Sequence, residues 1–286
     1  MEAAGGCSDD PPWRPRLTAN ALARQNELAL MTVFELFYPG TRIELEDRTV
    51  GFEVLKYLST IESRFTDAAV LLGLFEEAQA KASADLRSHI EQVPGPGESD
   101  AVGQPQFEPE MDARTFLREW TKQQVEAKRQ RWQGGEPPRA YTSRLPFIYA
   151  RAFLFSLWDV GKLLSKIGKF QGISNGSRKA IDAFDAAFPT LKGLRDSSAH
   201  LEERIAFQTH GRPIPLKPID NTLVRAPGGG VLVVESLLGN KFVGTNADGE
   251  LAEIEVSANT MGTVQECVQQ LLNSLPWSGP SKHYPE

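Results

Sequence analysis

The sequence predicts a mainly α protein ending in a small antiparallel β meander and a closing helix. Three observations carry this. Apolar residues recur at helical spacing through most of the chain; residues 145–167 are apolar nearly all round; and past His210 the texture turns to prolines, glycines and short β-prone runs. The 286 residues, 41% hydrophobic, supply ample material for a core without staples.

Residues 1–16, with Pro11, Pro12 and Pro15, read as a flexible tail. A region over 17–93 follows. Its stretch from Leu28 to Phe37 is apolar enough for burial but fits helix or strand equally, whereas from Gly51 the series Phe52, Leu55, Leu58, Ile61, Phe65, Ala68, Leu72, Phe75 predicts one long or two shorter amphipathic helices that pack on the rest. The Pro/Gly-rich residues 94–109 cannot hold a helix and mark the best candidate boundary. Over 110–208 a helical bundle is expected. Asp112 caps a polar helix to about Trp132, Gly134 to Pro138 break the chain, and Leu145 to Ile167 forms the central helix. Ser177 can cap the next helix, which Pro189 interrupts, and a last helix runs on to about Phe207. Residues 219–276 hold strands over Val231–Leu237, Lys241–Thr245 and Leu251–Val256, divided by turns at Gly239-Asn240 and Asp248-Gly249, then a helix from Thr260 to Leu275.

Two cysteines, Cys7 and Cys267, suggest neither a disulfide framework nor a metal knuckle, so a reducing compartment is expected. There is no membrane-spanning apolar run and no secretory leader in the opening residues, and the expected location is the cytoplasm. The net charge of −6 argues against non-specific coating of nucleic acid, yet residues 118–169 hold eleven basic and four acidic side chains, a local +7 that leaves −13 elsewhere. Such a surface suits a polyanionic substrate, or is simply a set of solvated helix faces.

Among the motifs, Gly172-Ile-Ser174-Asn-Gly176 matches the pattern of a hydrolase elbow but follows a helix end where the elbow needs a strand. Gly228 to Gly230 lacks the lysine of a phosphate-binding loop, and the four histidines stand too far from other ligand-type residues for a zinc site; neither cofactor nor metal is expected. The stretch Leu194-Arg-Asp-Ser-Ser-Ala-His-Leu-Glu-Glu-Arg204 is different, because it sets polar and ionisable residues among apolar helices. Asp196 and His200, four apart, share a helix face on which a carboxylate could orient the imidazole for acid/base work, while Arg195 reaches them only by its length. A solvent-facing row of ion pairs among Arg195, His200, Glu203 and Arg204 would explain the same residues.

Arg195, Asp196 and His200 resemble the signature of the HEPN superfamily, helical-bundle proteins marked by an arginine, a following polar residue and a histidine four to six positions on. The likeness covers roughly residues 110–208 and implies a HEPN-like bundle acting as a metal-independent endoribonuclease. His200 would then move a proton at the ribose or leaving oxygen, Arg195 would stabilise phosphate charge, and Asp196 would orient His200. The resemblance also implies RNA as substrate, a homodimer that joins two motifs, no membrane, and a regulatory or antitoxin partner in toxin–antitoxin or defence systems. Many relatives are catalytically silent, and a non-catalytic helical interaction module that binds a protein or nucleotide is the competing expectation.

Overall fold

A computed structural model describes residues 32–91, 112–173, 175–220 and 224–285. The expected tail and the Pro/Gly-rich loop of 94–109 lie outside these. The first long element, α1 (Arg48–Glu91), is one helix of 44 residues rather than two, about 66 Å long at 1.5 Å per residue. Asp47 caps it: its carbonyl accepts from Gly51 and its carboxylate from the Thr49 amide at 2.8 Å. Val54, Leu58, Ile61, Phe65, Ala68, Leu72 and Phe75 are buried, spaced alternately four and three apart, so a straight seam faces one partner.

That partner is α4 (Leu145–Ile167), which has the boundaries the sequence predicts. Phe153, Leu154, Leu157, Val160, Leu164 and Ile167 are fully shielded. Between α1 and α4 the chain forms α2 (Ala113–Gln133), capped by Asp112 as expected, and the short α3 (Arg139–Thr142). Although α2 falls within the bundle expected over 110–208, it has no buried residue. The bundle is built instead from α1, α4, α5 (Asn175–Ala187) and, from the far end of the chain, α8 (Ala258–Ser274). One core joins them all, so the candidate boundary separates no packed units among the described residues.

Helix α5 starts at Asn175, so Ser177 is not its cap; it lies buried in the first turn with its Oγ 2.6 Å from that of Ser274 on α8. Gly161 lets α4 and α5 approach closely, since a Cβ there would stand 2.4 Å from Phe184 Cε1. After α5 the expected last helix is divided into α6 (Leu191–Ala199) and α7 (Leu201–Ile205). Two small antiparallel pairs follow, β3 (Gln208–Thr209) with β4 (Arg212–Pro213) and β5 (Ile219–Asp220) with β6 (Arg225–Ala226). The meander is β7 (Ser236–Leu238), β8 (Lys241–Thr245) and β9 (Leu251–Glu255), turning where the sequence predicts. Its first strand is shorter than expected, because Val233 instead bonds irregularly to Thr245, giving its N–H to the hydroxyl and accepting from the amide. Ser257 caps α8 through the Thr260 amide.

The chain closes on itself. Strand β1 (Leu36–Tyr38) pairs with β11 (Lys282–Tyr284), and β2 (Arg42–Ile43) with β10 (Trp277–Ser278). On its other edge β1 meets a side chain acting as a strand: Gln269 of α8 accepts from the Phe37 amide at 2.8 Å and donates to its carbonyl at 2.7 Å. Tyr38, buried, is flanked by Lys282 and lies near Glu62 of α1, while Tyr284 bonds Thr66. Burial foremost, then the Glu62 charge, pushes the Tyr38 hydroxyl far above its ordinary 10.0.

Two outcomes follow. Gly161→Ala should lower stability by roughly 1–3 kcal/mol in urea unfolding despite alanine's helix propensity, and the same change in a Phe184→Ala background should be neutral or favourable, the coupling expected of a steric contact. Because the folded state retains the Tyr38 proton while the unfolded chain releases it near pH 10, stability should hold below that pH and fall above it. Tyr38→Phe should remove that share of the alkaline loss, read as a shallower decline of Tm between about pH 10 and 11.

Candidate functional site

Helix α6 is fixed by its buried side. Leu191 and Leu194 enter the core, Thr190 donates to the Glu253 carbonyl at 3.0 Å, and the buried Ser197 donates to the Thr245 carbonyl at 2.9 Å. This leaves Arg195, Asp196 and His200 on the outer side. Arg195 turns toward α4, its guanidinium carbon 5.6 Å from the Phe155 ring centre and 5.8 Å from that of Trp158. Asp196 accepts from Arg195 Nη1 at 3.1 Å.

His200 stands apart. The helix ends at this residue, with φ −116° and ψ 50°, and the imidazole is half exposed with Nδ1 3.9 Å from Glu202 Oε1. The expected contact of Asp196 with His200 is therefore not formed: the two share a face only if the helix continues, and the carboxylate is taken by Arg195. No proline or glycine causes the bend. It accompanies the burial of Arg204, whose Nε donates to Ser197 Oγ at 3.1 Å and whose Nη1 donates to the Gln208 carbonyl at 2.7 Å, anchoring α7 and β3 against α6. Arg204 is thus a buried tie and not part of a solvated row.

Residues that sequence reasoning passed over complete the cluster. Arg151, on the same side of α4 as Phe155, lies 5.7 Å from that ring and donates from Nη2 to the Ser198 carbonyl at 3.0 Å. Its Nε is 3.0 Å from Glu235 Oε1, close enough to pair but misaligned for a hydrogen bond. Each arginine thus has a carboxylate beside it and shares one aromatic ring with the other. Arg195 Nε and Ser198 Oγ are shielded and bonded to nothing. The signal in the sequence was charge in apolar surroundings: Arg151 and Asp159 interrupt the apolar run of α4, and Glu235 interrupts Val231 to Leu238.

Phe155 also lines an open groove of about 460 Å³ between α1 and α4. Asp159, one turn further along α4, and Arg64, Asp67, Leu71 and Ser156 share it, with Arg64 2.9 Å from Asp67 and 3.4 Å from Asp159. That volume suits a small organic ligand. A second cavity, behind α6 and lined by Ser198, Arg204, Glu235 and Thr245, is only about 10 Å³ and admits no substrate. Among the described residues no three His, Cys, Asp or Glu side chains are placed to hold a metal ion, and no helix is long and apolar enough to cross a membrane. The loop bearing Gly172 follows the end of α4, not a strand, and Ser174 lies outside the described residues.

Comparison of the chain with protein-family models, with curated proteins and with solved structures finds no match.

Removing Arg151 would leave Glu235 shielded without its cation. Arg151→Ala should destabilise the fold by about 2–3 kcal/mol in urea unfolding, less than a fully buried pair because Arg151 is partly exposed. Glu235→Leu in the same chain should recover much of that loss; equal losses in single and double variants would mean that the two residues act separately.

Proposed function

We propose that this chain is a HEPN-like, mainly helical binding module for a nucleotide, with the Arg195 face of α6 and the α1–α4 groove as its site. The observation that carries the reading is Arg195 itself: a guanidinium laid against Phe155 and Trp158, with one N–H shielded and unbonded, beside a groove that the same phenylalanine lines. Aromatic faces take a base by stacking, and arginine forks take phosphate oxygens in pairs. Asp159 and Ser156 in the groove offer acceptors for base N–H groups. Because Asp196 and Glu235 neutralise the two arginines, a bound phosphate would compete with those carboxylates, and affinity should be modest and salt-sensitive.

The endoribonuclease reading, with Arg195, Asp196 and His200 as its catalytic group, has one specific observation in its favour: the His200 imidazole is exposed at a bend, open to a ligand from solvent. It needs His200 to meet Arg195 around one phosphate, either by movement of the bend or across a pair of chains. A regulatory or antitoxin partner would belong to that reading.

Calorimetric titration with ATP, GTP and a 5′-phosphorylated RNA trinucleotide in EDTA tests both. Saturable binding that weakens about tenfold or more in Arg195→Ala, with the RNA left intact, is the expected result, the size being that of a lost charge-assisted hydrogen bond. Absence of binding by all three sinks the nucleotide reading. Cleavage by the parent and not by His200→Ala would establish the ribonuclease instead.

A further inference from the structure

Helix α2 has no buried residue, yet it carries Leu117, Trp120, Val125 and Trp132 at 58, 40, 39 and 47% exposure. It folds on local terms: the Asp112 cap, good helix formers throughout, and pairs at i, i+3 between Glu119 and Lys122 and between Glu126 and Arg129. Its charge is one-sided. Six basic residues stand against two acidic ones, a net +4 in a chain of net −6. The order matters more than the total, because Arg114, Arg118, Lys122, Val125, Arg129 and Trp132 follow at spacings of four, four, three, four and three, the rule for a single stripe.

Four cations along one stripe, the first three a turn apart and Arg129 two turns beyond Lys122, repel one another, and the two ion pairs, at 3.9 and 3.8 Å with exposed partners, relieve little of it. Arg114 and Arg118 make no ion pair among the described residues. A linear polyanion removes that repulsion, and Trp132 at the end of the stripe offers a face on which a base can stack. Other occupants fit less well. Insertion into a membrane surface needs a continuous apolar side, but Phe116, Trp120 and Ala127 share theirs with Gln123 and Arg131. A second α2 would bring like charges together.

We propose that α2 is an arm that binds single-stranded nucleic acid, with Arg114, Arg118, Lys122 and Arg129 along the phosphates and Trp132 under a base. It is independent of the nucleotide site at Arg195. The test is fluorescence anisotropy of labelled U16 and T16 across a salt series, with the full chain, Arg114→Gln/Arg118→Gln/Lys122→Gln, Trp132→Ala and Arg195→Ala. The triple variant should bind U16 at least about tenfold more weakly at 50 mM salt, and the slope of log K on log salt should flatten by roughly 2, since each single-strand phosphate contact contributes about 0.7. Trp132→Ala should lose about fivefold or more with the slope unchanged. Arg195→Ala should bind U16 as the parent does, so that failure of the nucleotide reading and failure of the arm are told apart. Comparable binding of T16 would mean that the backbone is read; U16 alone would mean that the ribose hydroxyl is read as well. The proposal is overturned if the triple variant keeps the parent's affinity and slope, or if the parent ignores U16 and T16 but binds phosphatidylserine vesicles. Because none of the four positions is buried, circular dichroism and Tm should match the parent's, and Trp132→Ala, which changes no charge, gives a separate reading if they do not.

Discussion

The seam between α1 and α4 is the constraint on which the other elements depend. A stripe spaced alternately four and three faces a helix that is apolar nearly all round, so α4 can be satisfied only by neighbours on several sides at once. Helix α1 takes one side, α5 a second through Gly161, and α6 and the meander a third. What stays open to solvent is a strip that runs from Ile148 through the half-buried Arg151, Phe155 and Asp159 to Lys162 and Lys166, and the groove and the arginine cluster lie along its middle. The candidate site is thus the uncovered remainder of the helix that organises the core.

The cluster also shows how a helix can carry charge so near a core. Arg151 enters an apolar helix because Glu235 and the Ser198 carbonyl meet it, and Arg204 is buried because Ser197 and Gln208 accept from it. Each is bonded across elements, not along its own helix. Such ties set the position of α6 and α7 as firmly as apolar packing does, since shielding an unpaired arginine would cost far more than leaving a leucine loosely packed.

What could be read in advance follows from the range of each interaction. The boundaries of α4, the Asp112 cap and the turns of the meander rest on residues within a few positions of one another, and the sequence shows them. The bend at His200 does not, because Ser197 beside it is tied to Thr245 of β8, in a strand some 40 residues later. For the same reason Asp196 and His200 looked like a pair: spacing alone assumes an unbroken helix. Periodicity also cannot say which helices enter a core, and α2, read as a polar helix of the bundle, has no buried residue. Strands of two or three residues such as β1 and β2 are invisible until their partners, about 240 positions away, are known.

That last pairing has a consequence for how the protein is made. A ribosome adding about 5–20 residues per second finishes α1 and α4 well before α8, β10 and β11 exist. Until then Leu36, Tyr38 and Ile43 have neither their strand partners nor Gln269 beside them. The native core is therefore completed only after residues 258–284 are made, and a chain arrested before α8 leaves the edge bearing Leu36, Tyr38 and Ile43 without those partners. Vectorial synthesis and the topology run in opposite senses: the first described strands to be translated are among the last to be secured.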